Sequence, residues 1–314
     1  MSLLVNKPGI LTTVQDLGRT GYRALGINPA GVMDRYAARL INILLGNQET
    51  ESVLELHFPA GEFEFHVTCS FALGGADFGA NLNGNAIRNW SITNAGDGDV
   101  LKFSERRNGS RAYLAVAGGF DIDPWLESRS TNLAAGAGGY SGRRLAPNDK
   151  IHFVSPRVVD LRALGPTIIP RYSRFPTVRI IPGGEFDQLT ASSEQAFLND
   201  PFTLSMNSNR MGYRLTGPPL HIAEAKELVS AGVTFGTIQL LPDGQLVVLM
   251  ADHQTSGGYP RIGNVIEADL PLLAQLGPGD GISFHSVTVE EAEQAVLSFE
   301  RELSFLKTGV ALAV

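Results

Sequence analysis

The sequence predicts a mainly β protein with a few helices, folded as two related β-barrel halves. Three observations predict it. Glycine and proline are abundant, at 35 and 17 of 314 residues, which suits many strands joined by tight turns. Apolar and polar residues alternate in short runs such as Glu62-Phe63-Glu64-Phe65-His66-Val67, the period of a half-buried strand. A segment near the start also returns far downstream. Residues 19–26 read RTGYRALG and residues 210–217 read RMGYRLTG, identical at five of eight positions. Ala30-Gly31-Val32 and Ala231-Gly232-Val233 follow in the same order, and Ala76-Asp77 and Ala251-Asp252 each end a strand. The series signals internal repetition with a period too long for a solenoid.

In chain order, residues 3–5 and 10–14 read as short strands around the Pro8-Gly9 turn. Residues 29–45 form the first helix, with Met33, Ala37, Leu40, Ile41 and Leu44 on one face and Gly46 as a left-handed cap. The signal from residue 52 to 154 is β, with hairpin-type turns at Asp97-Gly98 and Asn108-Gly109 and a strong strand over residues 111–117. Strands are expected at 177–182, 202–206, 228–241, 245–250 and 282–284. Ser192 to Gln195 reads as a capping box opening a short helix, residues 269–276 as another helix, and Thr288-Val289-Glu290-Glu291 as a second capping box. The helix after it carries Ala292, Ala295, Val296, Phe299, Leu303 and Leu306 on one stripe. Residues 1–155 are thus the first half, the proline-containing residues 156–176 a connector, and residues 177–314 the second half with its C-terminal helix.

Composition narrows the function. Hydrophobic residues at 43% and charged residues at 18% support a sizeable core. A net charge of −7 without a Lys/Arg run argues against nucleic acid as a partner. The single Cys69 leaves no internal disulfide framework and is expected as a buried thiol. No apolar run approaches membrane-spanning length and no leader pattern opens the chain, so the expected compartment is the cytoplasm. There is no P-loop, no G-x-S-x-G elbow and no H-E-x-x-H. Gly136-Ala137-Gly138-Gly139 resembles a dinucleotide loop in glycine content alone, without the βαβ context.

The candidate site begins with residues 252–269, DHQTSGGYPRIGNVIEAD, where a strand empties into a glycine-rich polar loop. Gln254, Gly257, Gly258, Tyr259 and Pro260 are its candidate substrate-binding residues; the plainer reading is a surface turn. The repeated segments add Arg19, Tyr22, Arg23, Arg210 and Arg214. Guanidinium groups grip carboxylates and phosphates through paired hydrogen bonds, and they equally hold backbone carbonyls or a neighbouring carboxylate. Among the loop carboxylates Asp16, Asp34, Asp77, Asp252 and Asp269, the preferred catalytic pair is Asp16 and Asp252, because each sits near a glutamine, Gln15 or Gln254, at a strand exit. Either could serve as a base or a magnesium ligand, or as a helix cap or turn residue. The six histidines are scattered without metal-ligand spacing, so no metal site is expected.

These residues also carry a resemblance. Residues 12–22, TTVQDLGRTGY, with Gly31-Val32-Met33-Asp34, Leu44-Leu45-Gly46-Asn47, RAYLAVAGG over 111–119, Ser128-Arg129-Ser130-Thr131 and Ser256 to Pro260, resemble the biotin-dependent carboxyltransferase / allophanate hydrolase subunit 2 family, also called KipA-like. The likeness spans about residues 3–295 in ordered blocks. It implies a cyclophilin-like architecture and a place in an ATP-dependent 5-oxoprolinase, beside a KipI-like subunit (PxpB) and a LamB/YcsF-like subunit (PxpA). ATP is the implied cofactor, with Mg2+, held by this chain or by a partner. The alternatives are the carboxyltransferase subunit of a biotin-dependent urea or amide carboxylase, and a KipA-type regulator that binds a KipI-like inhibitor of a sensor kinase. This sequence lacks the A-M-K-M type biotin-accepting motif, so the carboxylase reading needs a separate carrier. It departs from the family pattern at two glycines, where Glu127 and Asn148 stand instead.

Overall fold

The computed structural model describes residues 1–224 and 228–312. The chain folds into two compact units. The first comprises Met1–Arg19, Ala30–Arg171 and Arg301–Val314, and the second Thr20–Pro29 and Tyr172–Glu300. Both are built mainly of strands, with four α-helices among the described residues: α1 Arg35–Leu44, α2 Ala191–Asn199, α3 Leu270–Ala274 and α4 Val289–Leu312. None of the described helices is long and apolar enough to cross a membrane.

The first unit packs two sheets around one core. Six strands run in the order Lys150–His152, Ser2–Lys7, Glu62–Phe65, Val100–Phe103, Ala80–Leu82, Asn85–Ala86; five run Thr12–Gln15, Val53–His57, Asn108–Val116, Cys69–Asp77, Ile92–Ala95. Their alternating apolar residues meet in a cluster that includes Leu3, Val5, Phe63, Phe65, Phe71, Leu101 and Leu114. Burial of side chains this size gives roughly 1.5–3 kcal/mol each before entropy is counted. Helix α1 lies on the strands Cys69–Asp77 and Asn108–Val116.

α1 is shorter than its periodicity predicts. Residues 29–33 are not helical; Ala30 and Gly31 have φ of 52° and 100°. Asp34 caps the helix by accepting from Ala37 N at 2.9 Å. A buried carboxylate fixes that start. Glu55 accepts from Met33 N at 2.8 Å and from the Tyr113 hydroxyl at 3.0 Å, while Asp34 N donates to the same hydroxyl at 2.8 Å. Met33 is therefore buried from the loop before the helix.

The second unit closes a seven-stranded barrel in the order Thr177–Pro182, Arg261–Val265, Thr237–Leu240, Leu246–Leu249, Gly212–Thr216, Phe202–Leu204, Gly281–Ser286. Closure is by parallel pairing of Gly281–Ser286 with Thr177–Pro182, in register Val178 to Phe284. A closed barrel leaves no unpaired edge. The capping box at Thr288 forms as the pattern predicts: Thr288 N donates to Glu291 Oε2 at 2.8 Å and Glu291 N to Thr288 Oγ1 at 3.2 Å. The other does not. Thr190, two residues earlier, caps α2 by accepting from Ser193 N.

Several sequence expectations are corrected. Residues 228–241 hold two strands, Ala231–Gly232 and Thr237–Leu240, rather than one. Residues 269–276 contain only α3, preceded by a 3-10 turn at Glu267–Asp269. Asn108-Gly109 begins a strand instead of forming a turn. The repeated R-x-G-Y-R segments differ locally: Arg23–Leu25 is a 3-10 turn, whereas Gly212–Thr216 is a barrel strand.

Candidate functional site

Two clusters gather the candidate residues, one in each unit. In the first, the strand Thr12–Gln15 delivers Gln15 and Asp16 to the loop at residues 127–131. Asp16 is buried, with four donors on its carboxylate. Oδ1 accepts from Ser128 Oγ at 2.7 Å, Ser130 Oγ at 2.5 Å and Gly18 N at 2.8 Å, and Oδ2 accepts from Arg129 N at 2.5 Å. Its own backbone N donates to Ser130 Oγ at 2.9 Å. Charge-assisted bonds of this kind are strong, and a carboxylate so engaged clamps one loop to another.

Gln15 is buried beside it, donating from Nε2 to Thr13 Oγ1 at 3.1 Å and to the Thr131 carbonyl at 3.3 Å. Arg19 is also buried. It donates to the Ser130 carbonyl at 2.6 Å and lies over the Trp125 ring at 4.8 Å. Beyond Trp125 is a pocket of about 400 Å³ lined by Asp121, Asp123, Trp125, Gly138, Tyr140 and Gly142. Trp125 and the two serines, Ser128 and Ser130, are contributors that reading single polar residues missed. The S-R-S-T block was the available signal.

In the second unit Asp252 meets Arg210. The guanidinium forks onto the carboxylate, Nε to Oδ2 at 2.8 Å and Nη2 to Oδ1 at 3.0 Å. Asp252 N returns a bond to the Arg210 carbonyl at 2.8 Å, and Asn28 Nδ2 donates to the Asp252 carbonyl at 2.9 Å. Arg23 donates to the Val233 carbonyl. These last two bonds tie residues 20–29 into the second unit.

His253 follows, buried, its Nδ1 on the Gln254 carbonyl at 2.5 Å. Burial pushes its imidazole below the usual range, and the nearby Arg23 adds to the shift. The chain then turns through Ser256–Gly257, paired with Ala231–Gly232. Gly257 packs closely: a Cβ there would stand 2.5 Å from Nε2 of the buried Gln239, whose side-chain end would have to shift to admit it. Gln254, Gly258 and Tyr259 are exposed, Tyr259 at 46%. The Pro260 carbonyl accepts from Leu240 N at 2.9 Å, anchoring the far side of the turn.

Two further forks hold the rest of residues 252–269. Arg261 grips Glu185 at 2.8 and 2.9 Å, and its hydrogen bonds hold that carboxyl below the usual range. Arg179 grips Asp269 at 2.7 and 3.1 Å. In both pairs the carboxylate also accepts the arginine's own backbone N–H.

The predicted residues therefore divide. Gln15, Asp16 and Arg19 form one cluster; Arg210, Asp252 and the turn from Gln254 through Gly257, Gly258 and Tyr259 to Pro260 form the other. Tyr22 is half-buried at the start of the 3-10 turn, and Arg214 is exposed on the outer wall of the barrel, its residue paired with Val247. Among the described residues no group of three or more His, Cys, Asp or Glu could hold a metal ion.

Similarity to known proteins extends along nearly the whole chain. The family model for the carboxyltransferase domain, subdomain A and B, matches residues 25–286. The C subunit of 5-oxoprolinase from Escherichia coli (strain K12) is 40% identical over 294 residues, covering 93% of this chain and 94% of that protein. Its counterpart of the same name from Haemophilus influenzae is 36% identical over 280 residues, covering 89% of each. Among solved structures, the K. lactis urea amidolyase aligns with a TM-score of 0.92 and 29% identity over 97% of this chain, which is 20% of that one.

Proposed function

The chain belongs to the carboxyltransferase-domain family, and on that premise we propose that it is the C subunit of an ATP-dependent 5-oxoprolinase, helping convert 5-oxo-L-proline to L-glutamate with ATP hydrolysis. The observation that carries this reading is the likeness to the Escherichia coli protein of that name, 40% identical over 93% of the chain and 94% of its counterpart. A match end to end supports the same task more strongly than a match to one domain of a larger enzyme. In our reading the chain is inactive alone and acts in the cytoplasm with the KipI-like and LamB/YcsF-like subunits.

Opening 5-oxoproline means hydrolysing a lactam whose carbonyl is stabilised by amide resonance. The substrate also carries a carboxylate. Of the four repeat arginines, Arg19, Arg23 and Arg210 are engaged with Ser130, Val233 and Asp252, while Arg214 presents an exposed guanidinium suited to that carboxylate. Gln254, Gly258 and Tyr259 supply an exposed amide, an accessible backbone and a phenol on a turn held at both ends. Asp16 and Asp252 act as positioning residues: their acceptor oxygens are occupied by donors of the protein itself.

The fit to ATP is poor within either unit taken by itself. Arg19, Arg23 and Arg210 already hold acceptors, which leaves Arg214 as a single exposed cation among the repeat arginines, and the pocket beside Trp125 carries Asp121 and Asp123, whose charge opposes a triphosphate. We therefore assign ATP and its Mg2+ to a partner subunit and route no step of this chain through them.

The structural likeness to the K. lactis urea amidolyase, at a TM-score of 0.92, favours one second reading: the carboxyltransferase subunit of a biotin-dependent carboxylase. The two readings separate by substrate. The reconstituted assembly, offered 5-oxoproline and ATP, forms glutamate under the first reading. Under the second it forms none, and instead consumes ATP with bicarbonate and urea only when a biotin carboxylase and its biotin carrier are added.

A further inference from the structure

A groove of about 500 Å³ runs along the outside of the second unit, between the first turns of α4 and the strand Arg261–Val265. Its walls are mainly apolar, formed by Ile181, Val265, Ile266, Val289, Val296 and Leu297, with Asn264 among them. Glu267 and Glu293 stand on its rim. The helix already has a packed face, with Ala292, Ala295 and Phe299 against Ile266 and Ala268. The groove lies beside that face. Val289, Glu293 and Leu297 are spaced by four and so form one ridge. Val289 and Leu297 remain 50% and 46% exposed. A contiguous apolar surface with a charged rim marks an interaction site more than a stray exposed side chain does.

The chemistry narrows the occupant. A small ligand is fixed by several convergent polar groups inside a concavity, and this groove is mostly apolar: besides the two carboxylates at its edge its polar lining residue is Asn264, whose Oδ1 already accepts from Thr237 Oγ1 at 2.9 Å. A second copy meeting the same face would set Glu267 and Glu293 against their equivalents, in a chain that already carries a net charge of −7. A protein segment with apolar residues flanked by Lys or Arg satisfies both features. Its apolar side chains fill the space beside Leu297 while its cations meet the two carboxylates.

We infer that this groove docks an apolar, basic-flanked segment of a partner subunit. The inference rests on the reading that the chain works within a multi-subunit 5-oxoprolinase. The test measures binding of the purified chain to each purified partner subunit, for wild type, Leu297→Glu and Glu293→Lys, with thermal melts confirming that both variants fold. The inference expects Leu297→Glu to weaken binding to one subunit by at least about tenfold, as loss of an apolar anchor does. Glu293→Lys weakens it by about threefold at low salt and by less at about 1 M, where rim charges are screened. If Leu297→Glu binds every subunit as wild type does, the groove assignment is wrong while the subunit reading stands. If the wild-type chain binds no subunit, the subunit reading fails and takes the groove assignment with it. A Leu297-dependent homodimer would overturn it in favour of a second copy.

Discussion

Arg210 and Asp252 close a two-pronged ion pair, with side chains only 6% and 14% exposed, that fixes the exit of the Leu246–Leu249 strand to the segment leading into Gly212–Thr216. The turn at 254–259, with Gln254, Gly258 and Tyr259 exposed, begins two residues beyond Asp252.

Removing one partner should therefore cost more than a surface ion pair does. Arg210→Ala leaves a mostly buried carboxylate without its counter-charge, and we expect a loss of about 3 kcal/mol in urea unfolding. Arg210→Lys keeps the charge without the fork and should lose about 1–2 kcal/mol. The double change to alanine should cost less than the sum of the singles, as coupled partners do.

Asp16 gives a contrast between holding and reacting. Asp16→Asn keeps the shape but places an amide N–H against one of the four donors, so stability should fall by about 2–4 kcal/mol. The activity of the assembly, per folded chain, should then remain. A stable, folded and inactive Asp16→Asn chain would assign it the chemistry instead.

The two departures from the family's glycine pattern sit where the backbone is left-handed. Glu127 has φ of 62° and Asn148 has φ of 70°. A glutamate pays for that conformation more than asparagine, whose short amide tolerates it. Glu127→Gly should raise stability by about 0.5–1 kcal/mol, part of the relief being offset by the entropy of glycine. Asn148→Gly should change it by less. Equilibrium unfolding of the two variants side by side gives the comparison.

His253 sets a pH dependence. Its folded pKa lies below the ordinary 6.5 because it is buried, so the unfolded chain takes up a proton that the folded chain refuses. The unfolded state then binds more protons, and stability falls as the pH drops through 6.5 towards the folded value. His253→Gln should flatten that slope between about pH 7 and pH 5. Glu185 acts in a lower window: its carboxyl is depressed from 4.5 by Arg261, so its contribution is present above 4.5 and is lost as the pH falls further.

The β architecture was legible because alternation such as Glu62-Phe63-Glu64-Phe65 is local. The helix stripe of α4 was legible for the same reason. Helix starts were not. The beginning of α1 depends on Glu55 and Tyr113, remote residues whose hydrogen bonds outweigh the periodicity that includes Met33. Residues 252–269 stood out by composition, yet the partners of their charges did not. That Arg210 would meet Asp252, and Arg261 Glu185, depends on strand pairing 42 and 76 residues apart. The serines around Asp16 were hidden similarly, lying 112 and 114 residues away in the chain.

The central claim is tested most directly by leave-one-out reconstitution. The KipI-like subunit, the LamB/YcsF-like subunit and this chain are purified separately, and glutamate formed from 5-oxoproline and ATP is measured for the full mixture and for each mixture lacking one member. The account predicts glutamate from the full mixture, and none from this chain alone or from the other two without it. Undiminished glutamate formation in the absence of this chain would contradict it.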